Sequence, residues 1–415
     1  MTHNPPKEYT TTVYYNNVKS LQNAQGYQGP TGTFNAFQLH PRESRVYGFS
    51  LGVQRDIGFG TVVGVGYVGN LSRNLTGQQN LNTVPYGAQY LQANQDPTKA
   101  SCAGKTVNVN CTPNPLPDNF FRKYMGYGTI NDRFTGLTSN YHSLQVSANR
   151  RFKGGLQFGV AYTWSRAMDY ADSYDGGVAS YQNWRVWNYG PAGFDVRNIL
   201  VVNYLWSIPN GSRLWNNFAT RTLLDGWQIS GIASYTGGEP ATTGYSAKYP
   251  NSYTNTTGGG DGARVVLTSD PMKKAPHKFG QWFDTSVFQA PTLSTLDNTK
   301  CGGVCPDLAT ALQTGALVMS NGVSPYAPVR LPGYTNFDTA LFKNFKMENK
   351  FAVQLRLETY NTFNTPEFNM VNVGGSGFGT APSFDANGAQ TNASFGQISG
   401  SNGPRVLQLA GRISF

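Results

Sequence analysis

Arg405-Val-Leu-Gln-Leu-Ala-Gly-Arg-Ile-Ser-Phe415 closes the chain. Side chains along a β-strand point alternately to opposite faces. Leu407, Leu409, Gly411, Ile413 and Phe415 therefore share one face, and Gln408, Ala410, Arg412 and Ser414 the other. The same alternation recurs upstream over 350–361 (Phe351, Val353, Leu355, Leu357), 335–346, 225–236, 198–207, 155–165 (Leu156, Phe158, Val160, Tyr162, Trp164), 142–152, 60–70 and 45–56. A weaker candidate lies at 8–17. The pattern predicts about ten strands and no amphipathic helix. Strands of about ten residues, apolar on one face and polar or small on the other, fit a wall with lipid outside and a wet lumen inside. A soluble sandwich would alternate in the same way, so the pattern needs a second criterion.

Connection length supplies it. Assigned to alternate ends of the strands, the connections 57–59, 153–154, 208–224 and 347–349 fall at one end. Those at the other end, about 18–44, 71–140, 168–196, 237–334 and 364–402, are all long. Short turns at one end and long loops at the other are the pattern of outer-membrane barrels, with the turns periplasmic and the loops extracellular. Long connections without secondary structure are uncommon in compact soluble domains. Trp164, Trp206 and Trp227 lie near strand ends, where an interfacial aromatic girdle belongs.

Composition agrees. Of 415 residues only 13% are charged, while 39% are hydrophobic, and mean hydropathy is −0.40. Uncharged polar residues, glycine and aromatics replace the missing charge. No stretch approaches the ~18–20 apolar residues of a spanning helix, and abundant aromatics argue against disorder. The net charge of +10 is scattered along the chain, with no basic patch of the kind nucleic acid requires, so no nucleic-acid partner is expected. Cys102 with Cys111, and Cys301 with Cys305, form two local pairs in loop-like segments. Loop disulfides in an oxidising compartment are the expectation, and the close spacing of the second pair makes strain a concern there. Met1–Thr12 carries no apolar signal-peptide core, from which we expect a chain that is incomplete at its N-terminus.

The C-terminal strand, with Leu407, Leu409, Ile413 and the terminal Phe415, resembles the signal by which outer-membrane proteins are recognised for barrel insertion. Further segments resemble the barrel of Oar-like TonB-dependent receptors. They are Ser50-Leu-Gly-Val-Gln-Arg55, Val65-Gly-Tyr-Val-Gly-Asn70, Leu81-Asn-Thr-Val-Pro-Tyr-Gly87, Ala161-Tyr-Thr-Trp-Ser-Arg166, Gly226-Trp-Gln-Ile-Ser-Gly231 and Leu355-Arg-Leu-Glu-Thr-Tyr-Asn-Thr-Phe-Asn364. The match runs from about residue 45 to the end. It divides the chain into 1–44, a first strand and loop or a truncated barrel edge, and 45–415, the C-terminal part of the barrel.

The resemblance implies an all-β, antiparallel transmembrane barrel portion in the bacterial outer membrane. Such receptors also carry a signal peptide, a carboxypeptidase-regulatory-like domain and a plug, none of which is recognisable here. In the intact receptor it implies TonB-dependent uptake of an extracellular ligand. The implied partners are outer-membrane lipid, the barrel-assembly machinery and, through the plug missing from this chain, the TonB complex. A surface adhesin or structural protein is the alternative, and a small barrel protease a more distant one.

No catalytic residue and no cofactor is expected. Gly48-Phe-Ser-Leu-Gly52 matches a nucleophile elbow, which requires a strand–turn–helix context, yet Ser50 lies within an alternating strand. A barrel protease would need His142 with a second His or paired carboxylates, and neither accompanies it. Asp169, Asp172 and Asp175, interleaved with Tyr170 and Tyr174, are a candidate site for a hard cation or a ligand. Asn255-Thr-Thr-Gly-Gly-Gly-Asp-Gly262 and Gly374-Gly-Ser-Gly-Phe-Gly379 lack the strand-to-helix setting of a phosphate cradle. They read as flexible loop.

Overall fold

The computed structural model describes residues 34–84, 116, 121–124, 127–180, 183–215, 217–243, 264–289, 298–303, 327–347, 351–371, 381–385 and 389–414. Nine long strands form one antiparallel sheet in which every strand pairs with its sequence neighbours. We label them β1 (Arg45–Gly58), β2 (Thr61–Asn80), β3 (Ile130–Lys153), β4 (Leu156–Asp169), β5 (Asn198–Ser207), β6 (Trp227–Thr236), β7 (Tyr334–Met347), β8 (Phe351–Tyr360) and β9 (Val406–Ser414). All nine alternating stretches at 45 and beyond are strands. The candidate at 8–17 lies outside the described residues. Among the described residues the sheet is open, with β1 and β9 as its edges, and three short pieces attach to it: Phe34–Phe37 on β3, Gly176–Gly177 on β2 and Gly190–Pro191 on β4.

Register is what turns nine alternating strands into a two-faced wall, since a slip of one residue moves every side chain to the other face. One row reads Val53, Val65, Val146, Tyr162, Leu200 and Tyr235 through successive pairs. Another reads Trp206, Ile229, Leu341, Leu357 and Leu409. These apolar residues share one face of the sheet. The opposite face holds Gln54, Gly64, Ser147, Ala161 and Val201 in one row, and Asn344 with Gln354 in another. Polar bonds run along this second face: Gln354 Nε2 donates to Asn344 Oδ1 (2.8 Å), and Arg356 reaches Glu358 (3.2 Å) and Gln354 (3.3 Å).

Two glycines on the apolar face receive an aromatic ring from the residue directly opposite. Phe49 covers Gly69 and Tyr204 covers Gly231, where a Cβ would stand 2.3 Å and 2.7 Å from the ring or hydroxyl. The missing side chain lets the ring lie on the neighbouring strand.

The turns follow the expected asymmetry. Between β3 and β4, Gly154 (φ 64°) and Gly155 (φ 83°) make a two-residue hairpin, and two successive positive φ values are the mark of a type I′ turn. β1 and β2 are joined at Phe59–Gly60. Between β5 and β6 a short helix interrupts the all-strand pattern: Phe218–Leu224 is an α-helix with a capping box, Asn217 accepting from the Thr220 amide while Thr220 Oγ1 accepts from the Asn217 amide. At seven residues it is too short to show helical periodicity. No helix among the described residues is long and apolar enough to cross a membrane, which says nothing about strands.

Candidate functional site

The end of the sheet opposite the tight turns carries the long connections, and their described parts are packed and hydrogen-bonded. β2 and β3 extend past the alternating stretches, pairing Leu75 with Leu137 and Asn80 with Asn131 beyond an irregularity at Asn74 (φ 55°). At their tip Asn82, fully buried, ties the end of β2 to the segment entering β3. Its Nδ2 donates to the carbonyls of Tyr124, Tyr127 and Gly128 (2.9–3.0 Å), and its Oδ1 accepts from the Tyr124 amide (2.9 Å). With donor and acceptor both satisfied, the buried amide holds these backbone groups in place.

The described parts of the connections 237–333 and 361–405 pack against one another around a hydrophobic core that includes Val265, Phe283, Phe288, Val329, Phe395 and Ile398. Phe283, Phe288 and Phe395 meet pairwise at 5.0–5.5 Å between ring centroids. Two backbone bonds sew the loops together: Trp282 N to Gly396 O (2.8 Å) and Ile398 N to Phe279 O (3.1 Å). Sequence reasoning missed this core, because its members are scattered from 241 to 398 without a period.

A third connection, 170–197, is tied in by a buried ion pair. The Asp195 carboxylate is 1% exposed and bonded by the Arg330 guanidinium, which also donates to the carbonyls of Asp195 and Gly238 (3.0 Å each). The same carboxylate accepts from the Ala167 amide (2.7 Å) at the end of β4. Beside it, burial and then the Arg330 charge pull the Arg197 guanidinium below its ordinary value, while Asp195 opposes them.

The three aspartates do not converge on one point. Asp175 (φ 56°) pairs with Arg133 at 3.1 Å. Asp172 accepts from the Gly193 amide at 2.6 Å. Asp169 stands at the tip of β4, beyond Trp164 and above the spanning row, opposite Gly190. Burial, with the Asp172 charge second, raises its carboxyl from 3.8 to about 7. No group of three His, Cys, Asp or Glu side chains able to hold a metal ion occurs among the described residues. Cys301 is disulfide-bonded, while Cys102, Cys111 and Cys305 lie outside the described residues. Ser50 sits mid-strand opposite Val68, so the elbow geometry is not made.

His142 shares the apolar face with Tyr67 and Phe49. Its Nδ1 is 2.6 Å from the Tyr67 hydroxyl, and the two rings stack at 6.1 Å. Such a cluster is amphipathic in the way an interfacial girdle requires. With Trp164 it marks one end of the apolar band, and Trp206 and Trp227 mark the other. Leu407, Leu409 and Ile413 project from β9 on the same face, 64%, 82% and 67% exposed; Phe415 lies outside the described residues.

On the polar face Gln157, Asn203, Ser230, Asp338 and Glu358 line a cavity of about 420 Å³ along β4–β8. An apolar band bounded by aromatics, a polar opposite face, tight turns at one end and packed loops at the other together define an outer-membrane β-barrel wall. The chain belongs to the outer membrane beta barrel domain family, whose model matches residues 1–408. The bacterial outer membrane is therefore its location, the apolar face meets lipid, and the polar face lines the lumen.

No curated protein matches the sequence. Among solved structures, the outer membrane transporter YddB from Escherichia coli is similar at 9% identity and TM-score 0.38, over 94% of this chain and 35% of that one. The ferric enterobactin receptor PfeA from Pseudomonas aeruginosa matches at 10% identity and TM-score 0.35, over 89% and 31%. The FrpB iron transporter from Neisseria meningitidis matches at 10% and 0.33, over 92% and 32%. The chain spans about a third of the length of these transporters.

Proposed function

We propose that this chain forms barrel wall and extracellular recognition surface of an Oar-like, TonB-dependent receptor. In the intact receptor the loops would capture a ligand, and a plug displaced through the TonB complex would admit it to the lumen. The observation that carries this reading is the pairing of a polar lumenal face with loops folded around their own core, since a solute route needs both a wet path and a fixed recognition surface. The C-terminal strand, with Leu407, Leu409, Ile413 and Phe415, would be the segment read by the barrel-assembly machinery.

The test is an untargeted comparison of spent medium from cells with and without the protein, repeated in cells lacking TonB. The expected result is a solute depleted only when both are present. Depletion that persists without TonB would remove the energy-coupled part of the proposal. Cell-to-cell or surface binding with no depletion would favour an adhesin built on the same packed loops.

A further inference from the structure

The connection between β5 and β6 is the one periplasmic turn among the described residues that contains a helix, and that helix is apolar on the outside. Leu214, Trp215, Phe218, Leu223 and Leu224 are 85%, 73%, 86%, 66% and 49% exposed. In water such a cluster would be an aggregation hazard. It does not hang free below the wall. The Trp227 indole donates to the Leu223 carbonyl (2.7 Å), and the Lys343 ammonium donates to the carbonyls of Leu223 (3.1 Å) and Asp225.

Lys343 lies on the apolar face of the sheet with Leu341 and Phe345 of β7 and its β6 partner Trp227. A lysine on that face needs a reason, because a charge against lipid is costly. Its ammonium lies 5.1 Å from the ring centres of both Trp227 and Phe345 and meets the C-terminal carbonyls of the helix, a site that favours a cation. It thereby fastens the helix to the lipid-facing side of the sheet, at the level of the lower tryptophan row.

Between helix and sheet runs a groove of about 600 Å³, walled by Thr222 and Leu223 on one side and by Trp227, Phe345, Leu355 and Leu409 on the other. The groove is continuous with the lipid-facing band. The connection also carries the basic residues Arg213 and Arg221, and its acid, Asp225, accepts from the Ser212 amide (2.9 Å) and feels the charge of Lys343 and Arg221. Apolar side chains beside basic ones match acyl chains beneath phosphate headgroups.

We propose that residues 211–215 and 217–225 are an interfacial anchor seated in the periplasmic leaflet, with the groove beneath the helix holding an acyl chain of a glycerophospholipid. Its basic side chains then lie at the headgroup phosphates. Trp215 and Phe218 enter the leaflet beside the barrel, and the turn holds the wall at a fixed depth.

The experiment places the photo-crosslinking residue benzoylphenylalanine at Phe218, and separately at Trp215, in cells making the whole protein. Irradiated protein is extracted and its adducts identified by mass spectrometry. A third position, Tyr174, is 84% exposed in an extracellular loop and serves as the reference. The expected result is glycerophospholipid adducts at 218 and 215, several-fold above those at 174. Adducts to another protein or to a second copy of this chain would overturn the proposal and make the patch a protein interface. Adduct levels equal to those at 174 would overturn it as well, placing the helix in periplasmic water. Two positions guard against one substitution disturbing the turn.

Discussion

The wall and the extracellular loops use the same amino acids in opposite ways. In the wall, apolar side chains are on show: Leu51, Leu409 and Ile413 are 75%, 82% and 67% exposed, and fully buried large side chains are missing from the described strands β1–β9. In the loops, Phe283, Phe288, Phe395, Val265 and Val329 are 2% exposed or less. The solvent differs. The wall finds its apolar environment in lipid and leaves its strands to be held by backbone pairing, whereas the loops stand in water and must make a core of their own. Stability in the two regions therefore answers to different substitutions.

The largest effect is expected where the loops are most committed. Asp195→Ala leaves the Arg330 guanidinium half-buried with its charge uncompensated, and breaking a buried pair in this way costs about 3–5 kcal/mol. Limited proteolysis of intact cells should cut within 170–197 and 237–333 sooner, while the strands stay protected. Adding Arg330→Met should recover much of that resistance, because removal of both charges is far less costly than removal of one. If the single variant is as resistant as the parent, the ion pair does not hold the loops together.

Phe288→Ala should follow closely, at about 3–5 kcal/mol for a buried aromatic, again read as loop cleavage. The comparison is sharpened by Leu409→Ala in the wall, which should leave loop resistance unchanged. Equal loosening of the loops by both would mean that the two regions fold as one unit.

On the wall, the deciding contrast is between faces. Val146→Arg places a cation against lipid near the centre of β3 and should cost about 2–4 kcal/mol. Its neighbour Gln145→Arg points into the lumen and should cost little. Denaturant titration of the protein in phospholipid vesicles reads the difference. Similar losses at the two positions would break the assignment of lipid to one face and water to the other.

This division also decides what could be read from the sequence. Period-2 alternation is a record of two solvents, so the nine strands and the unequal ends were legible wherever strands cross lipid. The outer parts of β2 and β3 were not: Asn74-Leu-Thr-Gly-Gln-Gln-Asn80 pairs in water, held by backbone bonds, and has no apolar face to announce it. The helix Phe218–Leu224 is shorter than the window a helical period needs. Asn82 and the Asp195–Arg330 pair act through bonds between residues 40 or more apart in sequence, which spacing cannot show. The three aspartates were visible as a cluster, yet the fold gives Asp175 to Arg133 and Asp172 to a backbone amide. Proximity in sequence said nothing of which partner each would take.

The smallest effect concerns Asp169, at the junction of the two regions. Its carboxyl, raised to about 7 by burial and by Asp172, holds a proton more tightly folded than unfolded. The sign follows from linkage: the folded state binds more protons between the unfolded value, about 4, and 7, so stability falls as pH rises through that window. Ionised Asp169 would repel Asp172 and loosen the bridge to Gly190 at the tip of β4. Hydrogen exchange of the 170–197 amides should therefore quicken between pH 5 and pH 8 beyond the intrinsic base-catalysed rise, and Asp169→Asn should remove that excess. Exchange in β5 and β6, deep in the wall, should show no such excess in either protein. If the excess persists in the Asn variant, the loop is governed by another titrating group and the junction is not where pH enters.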